Sequence, residues 1–128
     1  MTKKLLKKIN PVFEDNRGAI FDILDGVEIK HVGIITSRAG AVRGNHYHKI
    51  ATQYLYVLEG RVEVTNKDLK GVSSTVIIEK GDLIAHRPTQ IHTIKSLGDS
   101  TVLVLTTSER KGREGYEKDT YRIKVNTP

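Results

Sequence analysis

"QYLYVLEGRVEVTN", residues 53–66, decides the fold of this chain. From Gln53 onward, side chains alternate in character: Gln53, Leu55 and Val57 fall on one face, Tyr54 and Tyr56 on the other. A helix repeats its apolar face every three or four residues, whereas a period of two belongs to a strand. Glu59-Gly60 interrupts the pattern with a turn signal, and "RVEVTN" then resumes the alternation.

Outward from this segment the same period returns. "GAIFDIL" (18–24), "IKHVGIITS" (29–37), "SSTVIIEK" (73–80), "IHTIKS" (91–96) and "TVLVLTT" (101–107) read as strands. Asp25-Gly26, Ala39-Gly40, Lys80-Gly81 and Gly98-Asp99 punctuate them as turns. At least seven short strands with glycine punctuation predict an all-β sandwich or barrel.

The 128 residues suffice for one core and are too few for two, so a single domain is expected. With no tryptophan, that core must come mainly from valine, isoleucine and leucine, a mixture suited to strands. The absence of cysteine excludes disulfides, thiolate zinc sites and cysteine nucleophiles. Lys3, Lys4, Lys7 and Lys8 supply four of the six net positive charges, and the remainder is ordinary for a soluble domain. No basic face with interleaved aromatics suggests nucleic acid. No run suggests a membrane span, and "MTKKLLKK" lacks the apolar stretch of a secretory signal. A cytoplasmic location is expected. The predicted organisation is a basic segment (1–10), a β-barrel (11–107) and a charged tail (108–128), whose Tyr121 and Ile123 could pair as an edge strand or cover an opening.

The chemistry concentrates in "RGNHYHK" (43–49). On a strand His46 and His48 project to one side and Tyr47 to the other, while a helix would separate the two imidazoles by about 200°. Gln53 opens the next strand, so the histidines join a face that is otherwise aliphatic.

These residues resemble the motifs of a cupin, a small double-stranded β-helix or jelly-roll barrel. His46-x-His48, Gln53 and Gly60 stand where the first cupin motif has its paired histidines, an acid and a closing glycine, with glutamine in place of the acid. Gly81, Pro88 and His92 are similar to the second motif, which lacks its inner glycine here. A narrower resemblance joins "DNRG" (15–18) and "RGNHYHK" to nucleotide-sugar cupins. It is to the dTDP-4-keto-6-deoxyhexose 3,4-ketoisomerases and to the cupin domain of capsular polysaccharide biosynthesis reductases, which epimerises a keto-sugar and can hold zinc. The dTDP-4-dehydrorhamnose 3,5-epimerases are longer and carry glutamine at the position of His48, which points away from double epimerisation.

The resemblance implies a sugar isomerase or epimerase working on a nucleotide-linked 4-keto-6-deoxy sugar. Such an enzyme removes a proton next to a carbonyl, and histidine suits the task because its unperturbed pKa of about 6.5 lies near working pH. His48 is the expected base, with His46 or a tyrosine returning the proton. Arg43, Lys49 or His92 would stabilise the enediolate. Gln53 is a further substrate-binding candidate, and Arg17 by resemblance would reach a diphosphate, in its own subunit or in a partner subunit.

A second reading makes His46, His48 and His92 ligands of a divalent metal (Zn, Ni, Fe or Mn), with Gln53 a weak fourth through its amide oxygen. No organic cofactor is implied. A third is a ligand-binding module without chemistry, since fold does not fix activity. Three buried imidazoles without partners would cost roughly 1–3 kcal/mol each, so their spacing speaks for function over packing. His31 is expected to face solvent or an interface. His86 is expected to be structural or to support the site from behind, Tyr54 and Tyr56 to pack, and Pro88 to shape a turn. A homodimer is expected, because the face of Tyr54 and Tyr56 must cover something and two-fold assemblies are the commonest closed ones.

Overall fold

Period-two alternation becomes two antiparallel five-stranded sheets in the computed structural model, which describes residues 6–109 and 119–122. One sheet runs β1 (Leu6–Lys8), β9 (Asp82–His86), β6 (Gln53–Glu59), β11 (Ser100–Thr106), β4 (His31–Ser37). The other runs β12 (Tyr121–Arg122), β5 (Val42–Tyr47), β10 (Ile91–Ser96), β7 (Arg61–Lys67), β8 (Ser73–Glu79). A separate hairpin pairs β2 (Phe13–Asp15) with β3 (Gly18–Ile20). Apart from the β7–β8 hairpin, neighbours in both sheets are non-consecutive, which gives the jelly-roll connectivity of a cupin.

The sheets close on Leu55, Val57, Ile84, Val102 and Val104 from the first and Val62, Val64 and Ile78 from the second. Each such side chain is worth roughly 1.5–3 kcal/mol on full burial. The alternation that predicted the fold is visible in β6, where Gln53, Leu55 and Val57 are buried while Tyr54 and Tyr56 are half-buried.

Two segments differ from the reading above. "GAIFDIL" is a strand only to Ile20, and it pairs with Phe13–Asp15 outside both main sheets. The basic segment forms β1 from Leu6: its backbone pairs with β9, and Lys8 Nζ reaches Asp82 at 3.4 Å and the Lys80 carbonyl at 2.9 Å. Lys3 and Lys4 lie outside the described residues, as do 110–118 and 123–128 of the tail, Ile123 included. Tyr121 and Arg122 form the edge strand of the second sheet, paired to Tyr47 and His46.

One irregularity positions the histidines. Between β5 and β10 the register runs His46↔His92 and then Gly44↔Thr93, leaving Asn45 as the extra residue of a bulge. Gly44 adopts φ +104°, and a Cβ there would stand 2.5 Å from the His92 carbonyl oxygen. Glycine is the residue that satisfies both the left-handed backbone and the close approach of the two strands.

Candidate active site

Strand register gathers polar residues into two rows at one end of the barrel. In the second sheet, Asn66, His92 and His46 lie side by side across β7, β10 and β5. In the first, His86, Gln53, Thr106 and His31 lie level across β9, β6, β11 and β4. The rows meet where His86 stacks on His92, with ring centroids 4.3 Å apart and planes 15° from parallel.

His48 follows β5 by one residue, and the strand period turns it to the same side as His46. The two ring centroids lie 5.2 Å apart, His46 and His92 4.5 Å, His48 and His92 5.7 Å. His46 Nε2 and His92 Nε2 are 3.0 Å apart, so one carries a proton and the other accepts it. The expected trio therefore does converge, on the wall of a cavity of about 330 Å³. Ile34, Ile35, Ile94 and Val104 supply apolar lining to that cavity, and Arg43 and Gln53 supply polar groups.

The other expected residues divide. Arg43 lines the cavity, with Nε donating to Ser37 Oγ at 3.0 Å and a terminal nitrogen donating to the Thr36 carbonyl at 3.1 Å. Gln53 is buried in the same wall. Lys49 does not line it: its Nζ lies 4.4 Å above the Tyr121 ring. Arg17 also stands outside, in the β2–β3 turn, where its guanidinium meets Asp15 at 2.6 Å and holds that carboxyl below the usual carboxylate range.

Three further residues join the site: His31 and Asp119, which the sequence reading did not place there, and His86, read as structural or supporting. His31, expected to face solvent or an interface, is half-buried and lines the cavity, because pairing with β11 sets it level with Gln53. His86 is fully buried against His92, and its Nδ1 meets Asn66 Oδ1 at 2.9 Å. Asp119 lines the cavity from the tail: its backbone carbonyl accepts from His48 Nδ1 at 2.7 Å. Its carboxylate accepts from the backbone N–H groups of Lys49, Ile50 and Ala51 at 3.0–3.2 Å.

Burial sets the charge of this band. Desolvation first, then the fields of His46 and His48, push His86 down to about 3. Desolvation, then His86, His46 and His48, push His92 well below the ordinary histidine range, with the Gln90 backbone the one opposing influence. Both rings are thus neutral near pH 7. His86 Nε2 and His92 Nδ1 are buried with no partner of hydrogen-bonding geometry, each a cost of about 1–3 kcal/mol that packing alone does not reward.

The acid limb of stability follows. Unfolded His86 takes a proton near pH 6.5, and folded His86 only near 3. Between these values the unfolded chain binds more protons, so stability present above pH 6.5 is lost as pH falls through the window. The slope is up to about 1.4 kcal/mol per pH unit for one such group. Thermal melts from pH 7 to pH 4, with a chelator present, are expected to show this decline, and His86→Gln to flatten it. An unchanged slope in the variant would remove His86 as its source.

A family model described as "Polysaccharide biosynthesis C-terminal domain" matches residues 13–121. The chain belongs to this family. No curated protein matches it at a significant level. Among solved structures, this polysaccharide biosynthesis C-terminal domain is similar to a dTDP-4-dehydrorhamnose 3,5-epimerase from Sulfolobus tokodaii (TM-score 0.74, 20% identity, 96% of this chain and 80% of that one). It is similar to QdtA, a sugar 3,4-ketoisomerase from Thermoanaerobacterium thermosaccharolyticum in complex with TDP (0.76, 22%, 92% and 86%). It also resembles CapF, a capsular polysaccharide assembling protein from Staphylococcus aureus (0.68, 19%, 91% and 32%). These likenesses place the domain in the cupin fold. Among its described residues, no helix is long and apolar enough to cross a membrane.

Proposed function

We propose that this domain is an isomerase or epimerase of a nucleotide-linked 4-keto-6-deoxy sugar, working by histidine-mediated proton transfer next to the carbonyl. The observation that carries the reading is the fixed tautomer of His48. A backbone carbonyl can only accept, so its 2.7 Å contact puts the His48 proton on Nδ1 and makes Nε2 the lone-pair nitrogen of the neutral ring. A base needs that lone pair, held by a second group in a defined orientation.

In this mechanism His48 Nε2 takes the proton from the carbon beside the ketone. The C–H electron pair moves into the ring, and the carbonyl oxygen becomes the oxygen of an enediolate. Arg43, on the cavity wall, would stabilise that developing charge. His46, 3.0 Å from His92 across the two Nε2 atoms, returns a proton to the opposite face of the same carbon or to the former carbonyl carbon. In the second case the hydroxyl proton of the first carbon passes to the former carbonyl oxygen, and the ketone moves one position along. A cavity of about 330 Å³ is at the small end for ligand sites, which suits a sugar ring inside with the nucleotide beyond the rim. QdtA, with TDP in its structure, offers a parallel for such a nucleotide.

Incubation with dTDP- or UDP-linked 4-keto-6-deoxy sugars in D₂O is the test. Deuterium is expected at a ring carbon, detected by mass spectrometry and proton NMR. Absence of exchange with every such donor would defeat the proposal.

A metal-assisted version has its own support. His46, His48 and His92 each offer a nitrogen, and the three atoms lie within 4.8 Å of one another. The donors fit a divalent ion: the imidazoles offer lone pairs, and a carbonyl behind His48 is the usual support of a metal-bound histidine. His46, His48 and His92 would hold the ion, with Gln53 as fourth, and it would polarise the carbonyl as a Lewis acid. Elemental analysis of untagged protein is expected to give one equivalent of Zn, Ni, Fe or Mn, lost in His92→Ala; a metal-free preparation with full exchange activity would eliminate this version.

The proposal includes a homodimer. Val12, Phe13, Ile20 and Phe21, on and beside the β2–β3 hairpin, are each about half exposed, and two strands alone are marginal in water. Light scattering is expected to give twice the 14.3 kDa chain mass, and the single value would remove the dimer.

A further inference from the structure

We propose that Asp119 is the positioning residue of His48, fixing its tautomer and holding the loop that carries it. For its effect on rate this rests on the proton-transfer reading; for its effect on the ring it rests on geometry alone. The two halves of the residue divide the work. The backbone carbonyl takes the Nδ1 proton. The carboxylate gathers three successive N–H groups from the turn between β5 and β6, which would otherwise lack strand partners. A carboxylate suits three converging donors because it only accepts and its charge strengthens each bond.

Asp119 is itself held in place. Two residues later Tyr121 pairs with Tyr47, and their rings stack at 5.3 Å and 22°. Lys49 sits over the same Tyr121 ring. On the other side, the His48 carbonyl accepts from Thr89 N–H at 2.6 Å, and Thr89 is the one described non-glycine residue with positive φ, at 71°. His48 is therefore gripped from two loops distant in sequence, and the hydrogen bond at its ring Nδ1 comes from Asp119. The carboxylate's bonds run to main-chain N–H groups of the loop that carries His48, so the role is to aim another residue.

The fold supplies its own control. Asp68 Oδ1 accepts from the N–H groups of Lys70 and Val72, both at 2.9 Å, capping a turn by the same chemistry away from the cavity. Loss of that cap reports what turn capping alone is worth.

The test is nitrogen NMR of ¹⁵N-histidine-labelled full-length protein at pH 8 with a chelator, read beside steady-state kinetics. In the unaltered protein His48 is expected to show a protonated Nδ1 and a pyridine-type Nε2. Asp119→Asn places NH₂ among donors; it is expected to populate the Nε2–H tautomer and to lower kcat by about 10–100-fold with KM changed less than about three-fold. Asp119→Glu is expected to restore part of both. Asp68→Ala is expected to lower Tm while leaving tautomer and kcat alone. Should Asp119→Asn fail to fold, Tyr121→Ala loosens the same strand with the carboxylate intact and is expected to give a smaller shift of the same sign.

A proton on Nε2 in the unaltered protein, or an unchanged tautomer in the Asp119 variants, overturns the proposal. A clear tautomer change in a protein that turns over no keto-sugar supports the positioning and defeats the isomerase reading instead.

Discussion

His48→Asn is expected to lower kcat by about a thousand-fold while moving KM only a few-fold. Asparagine places its amide nitrogen at the position of ring Nδ1 and can still donate to the Asp119 carbonyl, the acceptor His48 now uses at 2.7 Å, so the loop keeps its shape. What disappears is a basic nitrogen within reach of the cavity. General acid–base catalysis by one positioned group contributes about 10²–10⁴-fold, which sets the expected loss. Because the proton moves in the transition state, the effect belongs in kcat more than in KM. Deuterium exchange at the sugar carbon should fall with turnover. A variant keeping more than a tenth of the rate would move the base elsewhere, with His31, His46 and His92 the remaining imidazoles of the cavity wall.

The second large effect is on stability. Gly44→Ala should cost about 2–5 kcal/mol, combining the left-handed backbone at φ +104° with a Cβ 2.5 Å from the His92 carbonyl oxygen. At this size that lowers Tm by about 10 °C or more. Gly40→Ala separates the two contributions. Its φ is +84°, yet nothing lies within 4 Å of the added carbon, so only the backbone cost of about 1–3 kcal/mol applies. Equal melting temperatures for the two variants would show that β5 and β10 do not need their close approach. Gly44→Ala should also disturb the His46–His92 contact, because both sit at the bulge.

Much of the barrel was legible because most strands bury one face. That asymmetry writes itself as alternation in β4, β6, β7, β8 and β11. β9 lacked the signal because it lies between β1 and β6 and buries both Leu83 and Ile84, so neighbours on opposite faces are alike. β1 was hidden by its lysines: pairing there is made by the backbone, which any side chain permits. His46, His48 and His92 could be read from motif spacing, since His-x-His on a strand carries its own geometry. His31 and His86 could not. Each enters the site through register with a neighbouring strand, and register is a relation between segments far apart in sequence. Asp119 was the least visible, because what it binds is main chain: a carbonyl to a ring and a carboxylate to three amides leave no pattern of residue types at the receiving end.

The span of these bonds has a further consequence. Asp119 reaches back across 68 to 71 positions to the loop it holds. During synthesis the barrel strands through Thr106 emerge before the residue that anchors His48. A ribosome-held chain ending there would have a closed hydrophobic interior and a loosely aimed imidazole. The aim of His48 would then arrive as a final docking event after the interior has formed, and with it any chemistry the proposed reading assigns to that ring.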